Sequence, residues 1–234
     1  MEQSGSRRGP NVEDDAHKSE VEKRRDLVRF SKWLSRLGFT PGTCGNLSVR
    51  LDEHRLLVTP SGRSKQLLKA ADMVVVDLGG NRIAGSRNVT SEISMHLAVY
   101  ESRADVEAVI HTHPPIATAF GCVGRALDEM LCQEAVMTLG EVPLAKYATT
   151  GTSEVAASLA PFLTSHDAVL LSNHGAISYG HSLLDAFMKM ETIEHLAQVN
   201  LTAHQLGNVR PLSSEQVLRL RNAKAIYVTN ASAS

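Results

Sequence analysis

"VEAVIHTHPP", residues 106–115, is the stretch on which the rest of the chain turns. Its apolar run predicts a mostly buried strand, and Pro114 and Pro115 end it. In an extended strand residues i and i+2 point to the same side, so the rings of His111 and His113 can converge on one ion. Imidazole nitrogen at about 2.0–2.1 Å suits Zn²⁺, and catalytic zinc typically takes three protein ligands and keeps one position open. Taken alone, the pair fits equally well with two half-buried histidines bonded to backbone groups.

Two further features bear on that choice. "DAVLLSNHG", residues 167–175, reads as a second buried strand ending in His174, followed by Gly175, where chain reversal and close backbone approach are cheap. "NVTSEISMH", residues 88–96, places Glu92 at a predicted helix start, where a carboxylate gains from the helix dipole or forms half of a capping box. Three histidines and one acid thus fall at the ends of elements. His96 and His195 lie on predicted helices, His204 near a helix end, and His54, His166 and His181 in or beside turns; all six read as structural.

Outward from these stretches, residues 1–18 are polar and mixed in charge, and the composition predicts a disordered arm. Residues 19–234 then form one domain. Val21, Leu27, Phe30, Leu34 and Leu37 recur at helical spacing before Gly38, a natural C-terminal cap. Strands are expected at Leu47–Leu51, Leu56–Thr59 and Met73–Leu78, separated by turn-forming residues. Thr90 or Ser91 can cap a helix to about Ser102. A helix from Pro115, a strand over Val142–Tyr147 and a helix over Ser153–Leu163 follow. After the strand ending at His174 come a long helix, Ser182–Leu206, and a last helix capped by Ser213 or Ser214. Early strands joined by hairpin-length turns, with helices interspersed, predict a mixed α/β layer structure rather than a regular parallel array.

Composition narrows the function. Hydrophobic residues make up 43% and charged residues 21%, close to the globular average. No apolar run approaches the length of a membrane span, and the N-terminus shows no apolar leader, so a cytoplasmic protein is expected. With 24 Lys and Arg against 25 Asp and Glu, and no basic stripe, general nucleic-acid binding is not expected. Cys44, Cys122 and Cys132 lack C-x-x-C spacing and read as reduced thiols. Neither a dinucleotide nor a Walker-type glycine motif is present, so any phosphate must be held by other groups.

"HTHP" with an upstream glutamate resembles the zinc site of the deubiquitinating metalloprotease family. That family's pattern continues with a serine and an aspartate, where this chain has Cys122 and Arg125, so the aspartate ligand is missing. A second resemblance covers nearly the whole chain after residue 20. "GTCGNLSVR" (42–50), "VTPSG" (58–62), "TSE" (90–92), "VIHTHP" (109–114), "YATTGT" (147–152) and "LLSNHG" (170–175) resemble, in order and spacing, the class II sugar-phosphate aldolase family. That family includes fuculose-phosphate aldolase, ribulose-phosphate 4-epimerase and the adducin head domain.

The resemblance implies an α/β domain with a mixed, largely antiparallel central sheet flanked by helices. It implies one divalent metal ion per subunit, Zn²⁺ first, with Mn²⁺ or another divalent ion as alternatives, bound by His111, His113, His174 and Glu92. Glu92 also acts as catalytic acid and base. Substrate phosphate is held by Thr43, Gly45 and Asn46 and by Ser61 and Gly62, segments that read without the family as turns, and by Thr90 and Ser91. The implied reaction is retro-aldol cleavage of a small ketose 1-phosphate through a metal-stabilised enediolate. The alternatives on the same scaffold are decarboxylation or 4-epimerisation of a sugar or sugar-acid phosphate, or a non-catalytic assembly role. The family's cyclic homotetramer, with active sites between subunits, is implied too. One tyrosine that donates across the subunit boundary is replaced here by Cys132, and a second, on the C-terminal tail, is matched by Tyr227 as a catalytic residue.

Overall fold

The computed structural model describes residues 17–232, with side chains through Lys224. The expected arm therefore falls outside the described residues except at its end, and so does the side chain of Tyr227. Helix α1 (Glu20–Arg36) starts at Ser19, whose hydroxyl accepts from the Glu22 amide while Glu22 accepts from the Ser19 amide. This reciprocal pair satisfies two donors that a helix start leaves open. Leu37 caps the helix and Gly38 follows in the left-handed region, φ +80°.

Eight strands form one sheet: β1 (Asn46–Arg50), β2 (Arg55–Val58), β3 (Val74–Asp77), β4 (Arg82–Ala84), β5 (Ala108–Thr112), β6 (Leu144–Ala145), β7 (Ala168–Leu171) and β8 (Gly175–Gly180). Their order is β4-β3-β2-β1-β5-β8-β7-β6, and only β6–β7 pair in parallel. The mixed, largely antiparallel sheet is thus as expected. The helices are α2 (Ile93–Ser102), α3 (Pro115–Cys122), α4 (Gln133–Thr138), α5 (Glu154–Leu159), α6 (Leu183–Leu206) and α7 (Ser214–Ser232).

Period-two alternation sorts the strand residues onto two apolar layers. Leu47, Val49, Ala108, Ile110, Leu170 and Ala176 pack with α1, α3 and α6. Leu56, Val58, Val109, Val169, Ile177 and Tyr179 pack with α2 and α5 on the opposite face. Both faces are covered, so β5 is buried along its whole length. The consequence for function lies in the parity: His111 shares the face of Val109, and Asn46 and Ser48 alternate with Leu47 and Val49. All three polar residues therefore face α2.

Several elements depart from the sequence expectation for physical reasons. Strand β8 is unread because the pattern ends at His174; its flanking glycines look like turn residues, yet they sit where a side chain cannot fit. A Cβ on Gly175 would lie 2.5 Å from the Thr112 carbonyl oxygen. Strand β4 is exposed at every position and carries no apolar alternation. The strand expected over Val142–Tyr147 shrinks to Leu144–Ala145, with Val142 in an isolated bridge to Leu127. Pro143, between them, has no N–H to give a ladder. The helix expected over Ser153–Leu163 ends at Leu159, and α4, six residues long, has too few turns to show a period.

Substituting Gly175→Ala should destabilise the protein by about 1–3 kcal/mol, the usual range for overpacking. Urea unfolding would register this as a lower midpoint, and an unchanged midpoint would refute the steric account.

Candidate active site

Pairing register brings the site together. Asn46 lies opposite His111 across β1–β5, and His111 lies opposite Ile177 across β5–β8. His113 sits just past the end of β5, its amide bonded to the Phe39 carbonyl at 2.8 Å. His174 occupies the tight turn between β7 and β8, next to Asn173, which takes the left-handed conformation at φ 56°. Glu92 stands at the N-cap position of α2, where Thr90 or Ser91 was the expected cap. Its side chain makes no capping bond and turns instead into the histidines.

The ligand atoms of His111, His113 and His174 all lie within 4.8 Å of one another. Glu92 Oε1 is 3.0 Å from His174 Nε2, and Glu92 Oε2 is 3.5 Å from His111 Nε2. His111 is fully buried, and its Nδ1–H donates to the Ala176 carbonyl at 2.9 Å. That bond commits the proton to Nδ1 and leaves the Nε2 lone pair facing the cluster, the arrangement that orients a metal-binding imidazole. Burial lowers His111 to about 3 and His113 to about 4, so both rings are neutral donors at neutral pH. Burial pushes the Glu92 carboxyl up, but hydrogen bonds from His174 and Asn46 and attraction from the neighbouring rings outweigh it and hold it below the usual range. Three imidazoles beside one carboxylate are a donor set that fits a divalent metal ion.

A chain of buried polar groups supports the carboxylate from behind. An ionised carboxylate only accepts, so Asn46 turns its NH₂ to Glu92 Oε2, at 2.6 Å. Asn46 Oδ1 must then receive a proton donor, which fixes the His96 proton on Nε2, 2.5 Å away. His96 Nδ1 accepts from the Ser48 hydroxyl at 2.7 Å, and Ser48 accepts from Tyr100 at 2.9 Å. Asn46, Ser48, His96 and Tyr100 are all buried, so each group depends on the next for its hydrogen bond. His96, which the sequence assigns a purely structural place, holds the amide that holds Glu92. Its visible signal is the i+4 spacing from Glu92 on one helix face.

In front of the carboxylate opens a cleft of about 420 Å³. Thr43, Gly45, Asn46, Ser61, Gly62, Thr90 and Ser91 line it, together with Glu92, His113 and His174. Gly45 allows the first loop its path: at φ +76° its Cβ would lie 2.9 Å from the His111 carbonyl oxygen. Cys44, Lys65 and Thr150 also line the cleft, and none of the three stands among the residues expected from sequence. Cys132 does not line it; it packs with Met130, Val136, Leu196 and Leu220 between α4, α6 and α7.

Comparison with known proteins identifies the family and the fold. The family model "Class II Aldolase and Adducin N-terminal domain" matches residues 25–201. The chain is 33% identical over 184 residues to an L-fuculose phosphate aldolase of Methanococcus maripaludis, covering 77% of this chain and 99% of the relative. It is also 33% identical over 201 residues to a 3-oxo-tetronate 4-phosphate decarboxylase of Haemophilus influenzae, covering 84% of this chain and 94% of the relative. A solved L-fuculose 1-phosphate aldolase superimposes with a TM-score of 0.81 at 34% identity, covering 88% of this chain and 96% of the other.

Two expectations follow. Purified protein should carry about one divalent ion per chain, and His113→Ala should lose most of it by elemental analysis; unchanged content would remove the cluster as a metal site. The second concerns pH. His96 is lowered to about 4 by burial, as His111 and His113 are to about 3 and 4. Between about pH 6.5 and 4 the unfolded chain takes up protons that the folded chain refuses, so stability must fall as pH is lowered across that window. Urea midpoints of chelator-treated protein at pH 7 and 4.5 should differ accordingly; a flat profile would contradict neutral burial of these rings.

Proposed function

The chain belongs to the class II aldolase and adducin N-terminal domain family, and from that premise we propose a metal-dependent lyase that cleaves a small ketose 1-phosphate by retro-aldol reaction. The observation that carries the reading is the convergence of His111, His113, His174 and Glu92 at the mouth of a cleft lined with hydroxyl, amide and glycine residues. His111, His113 and His174 would hold the ion, with Glu92 adjoining it. Bound there, a divalent ion, Zn²⁺ before Mn²⁺, would supply Lewis-acid stabilisation of the enediolate left when the carbon–carbon bond breaks.

The remaining work falls to the chain. Ionised Glu92, steadied by Asn46 and His174, takes up or returns a proton at the carbon next to the carbonyl. Ser61, Gly62, Thr90, Ser91 and Thr43 supply hydroxyl and backbone donors for the phosphate, and Gly45 lets the first loop close on it. Asn46 serves both sides, with one N–H committed to Glu92. The exposed Cys44 and Cys122 and the half-buried Cys132 are free thiols, in keeping with a cytoplasmic enzyme.

Assembly is part of the proposal. In a closed cyclic homotetramer every interface is equivalent, so the region of Cys132 and the tail bearing Tyr227 would complete a neighbour's site. The position of Cys132 outside its own chain's cleft supports this arrangement. A second reading keeps the same residues and changes the bond broken: decarboxylation of a sugar-acid phosphate, favoured by the 33% identity to the Haemophilus influenzae decarboxylase. A purely structural role of the adducin kind does not need the three histidines that are present.

Product analysis with a panel of phosphorylated ketoses and keto acids tests the reaction, with aldehyde and triose phosphate expected; carbon dioxide release would favour the second reading. Glu92→Gln should lower kcat by about 10²–10⁴-fold, and a rate within a few-fold of wild type would take Glu92 out of the mechanism. Light scattering should give four chains per particle, and a monomer at assay concentration would contradict the shared site.

A further inference from the structure

Lys65 opens the short 3₁₀ turn that follows the "TPSG" segment, and its side chain is only 1% exposed. Its ammonium donates to the Thr43 carbonyl at 2.9 Å and the Arg63 carbonyl at 3.0 Å, one from each of two loops that border the cleft. An ammonium has three protons to give, so two are spent on these carbonyls and one remains. Among the described residues no carboxylate pairs with Lys65. Lys189, also buried, is held by both Asp167 and Asp185. A buried cation without an anion is costly, and the structure retains this one beside the cleft that the hydroxyl and glycine loops surround. Among the cleft's described lining residues Lys65 is the only lysine or arginine; the other ionisable groups there are Cys44, Glu92, His113 and His174.

We propose that Lys65 is the anion-binding cation of this cleft: its free N–H and its charge meet the dianionic phosphate of the substrate from beneath the Thr43 and Ser61 loops, and select phosphorylated over unphosphorylated sugars. The inference rests on the sugar-phosphate reading above and adds to it the charge that the neutral loop donors lack. Burial lowers Lys65 to about 8, the direction expected of an ammonium kept from water before its counter-ion arrives. The two carbonyl bonds also tie the loops together, so a phosphate on Lys65 would draw on both at once.

The test uses the metal-loaded full chain and inorganic phosphate as the probe. Titration calorimetry should show saturable phosphate binding to the wild type, about tenfold weaker or more in Lys65→Met and in Lys65→Gln, whose amide keeps a donor for one loop carbonyl. Metal content should not change in either. Equal phosphate affinity in wild type and variants of unchanged metal content overturns the assignment of Lys65 alone. Failure of the wild type to bind phosphate overturns both this assignment and the sugar-phosphate reading.

Discussion

An imidazole with no exposed surface, inside a strand covered on both faces, is the constraint around which this molecule is organised. His111 occupies that place in β5, and its burial is tolerable only because Ala176 of β8 takes its Nδ1 proton and the opposite nitrogen faces other polar groups. The β5–β8 register that supplies the Ala176 carbonyl also delivers the β7–β8 turn, and with it His174. Gly175 is required at that crossing by the Thr112 carbonyl. A single pairing error would turn His111 to the other face of the sheet and leave it without these partners.

The same parity argument extends through β1. Because Asn46 and Ser48 point toward α2, the helix can answer them with His96 and Tyr100, one turn apart, and Glu92, one turn earlier, reaches the amide of Asn46. The polar line from Tyr100 to Glu92 runs in one direction, each donor fixed by the acceptor ahead of it. Such a line specifies both the orientation of the amide and the tautomer of the ring, and so places a negative carboxylate beside three imidazoles. Positioning of this kind favours chemistry that needs charge held still in a partly dry site.

Much of this was legible in the sequence. The H-x-H in β5 announces its own geometry, since alternation in a strand is strict, and the apolar runs before His111 and His174 mark buried strands. The ordered motifs placed Thr43, Asn46, Ser61 and Thr90 together although the first three read locally as turns and Thr90 as a helix cap. What stayed hidden depended on contacts across the fold. Gly175–Gly180 carries glycines for want of space rather than for turning, and only the neighbouring backbone shows it. Lys65 sits in a polar stretch where an exposed lysine is the ordinary expectation, and its burial depends on two loops closing over it. His96 looks like any helical histidine until β1 is laid against it.

The central claim is that strand register assembles three imidazoles and no thiol into one metal centre, although Cys44 lines the same cleft. X-ray absorption at the edge of the divalent metal that co-purifies with the full chain tests this most directly. The account predicts a first shell of nitrogen and oxygen only, at about 2.0–2.2 Å if the metal is zinc, with outer-shell scattering from three imidazoles. A sulfur ligand near 2.3 Å, or fewer than three imidazoles, would contradict it.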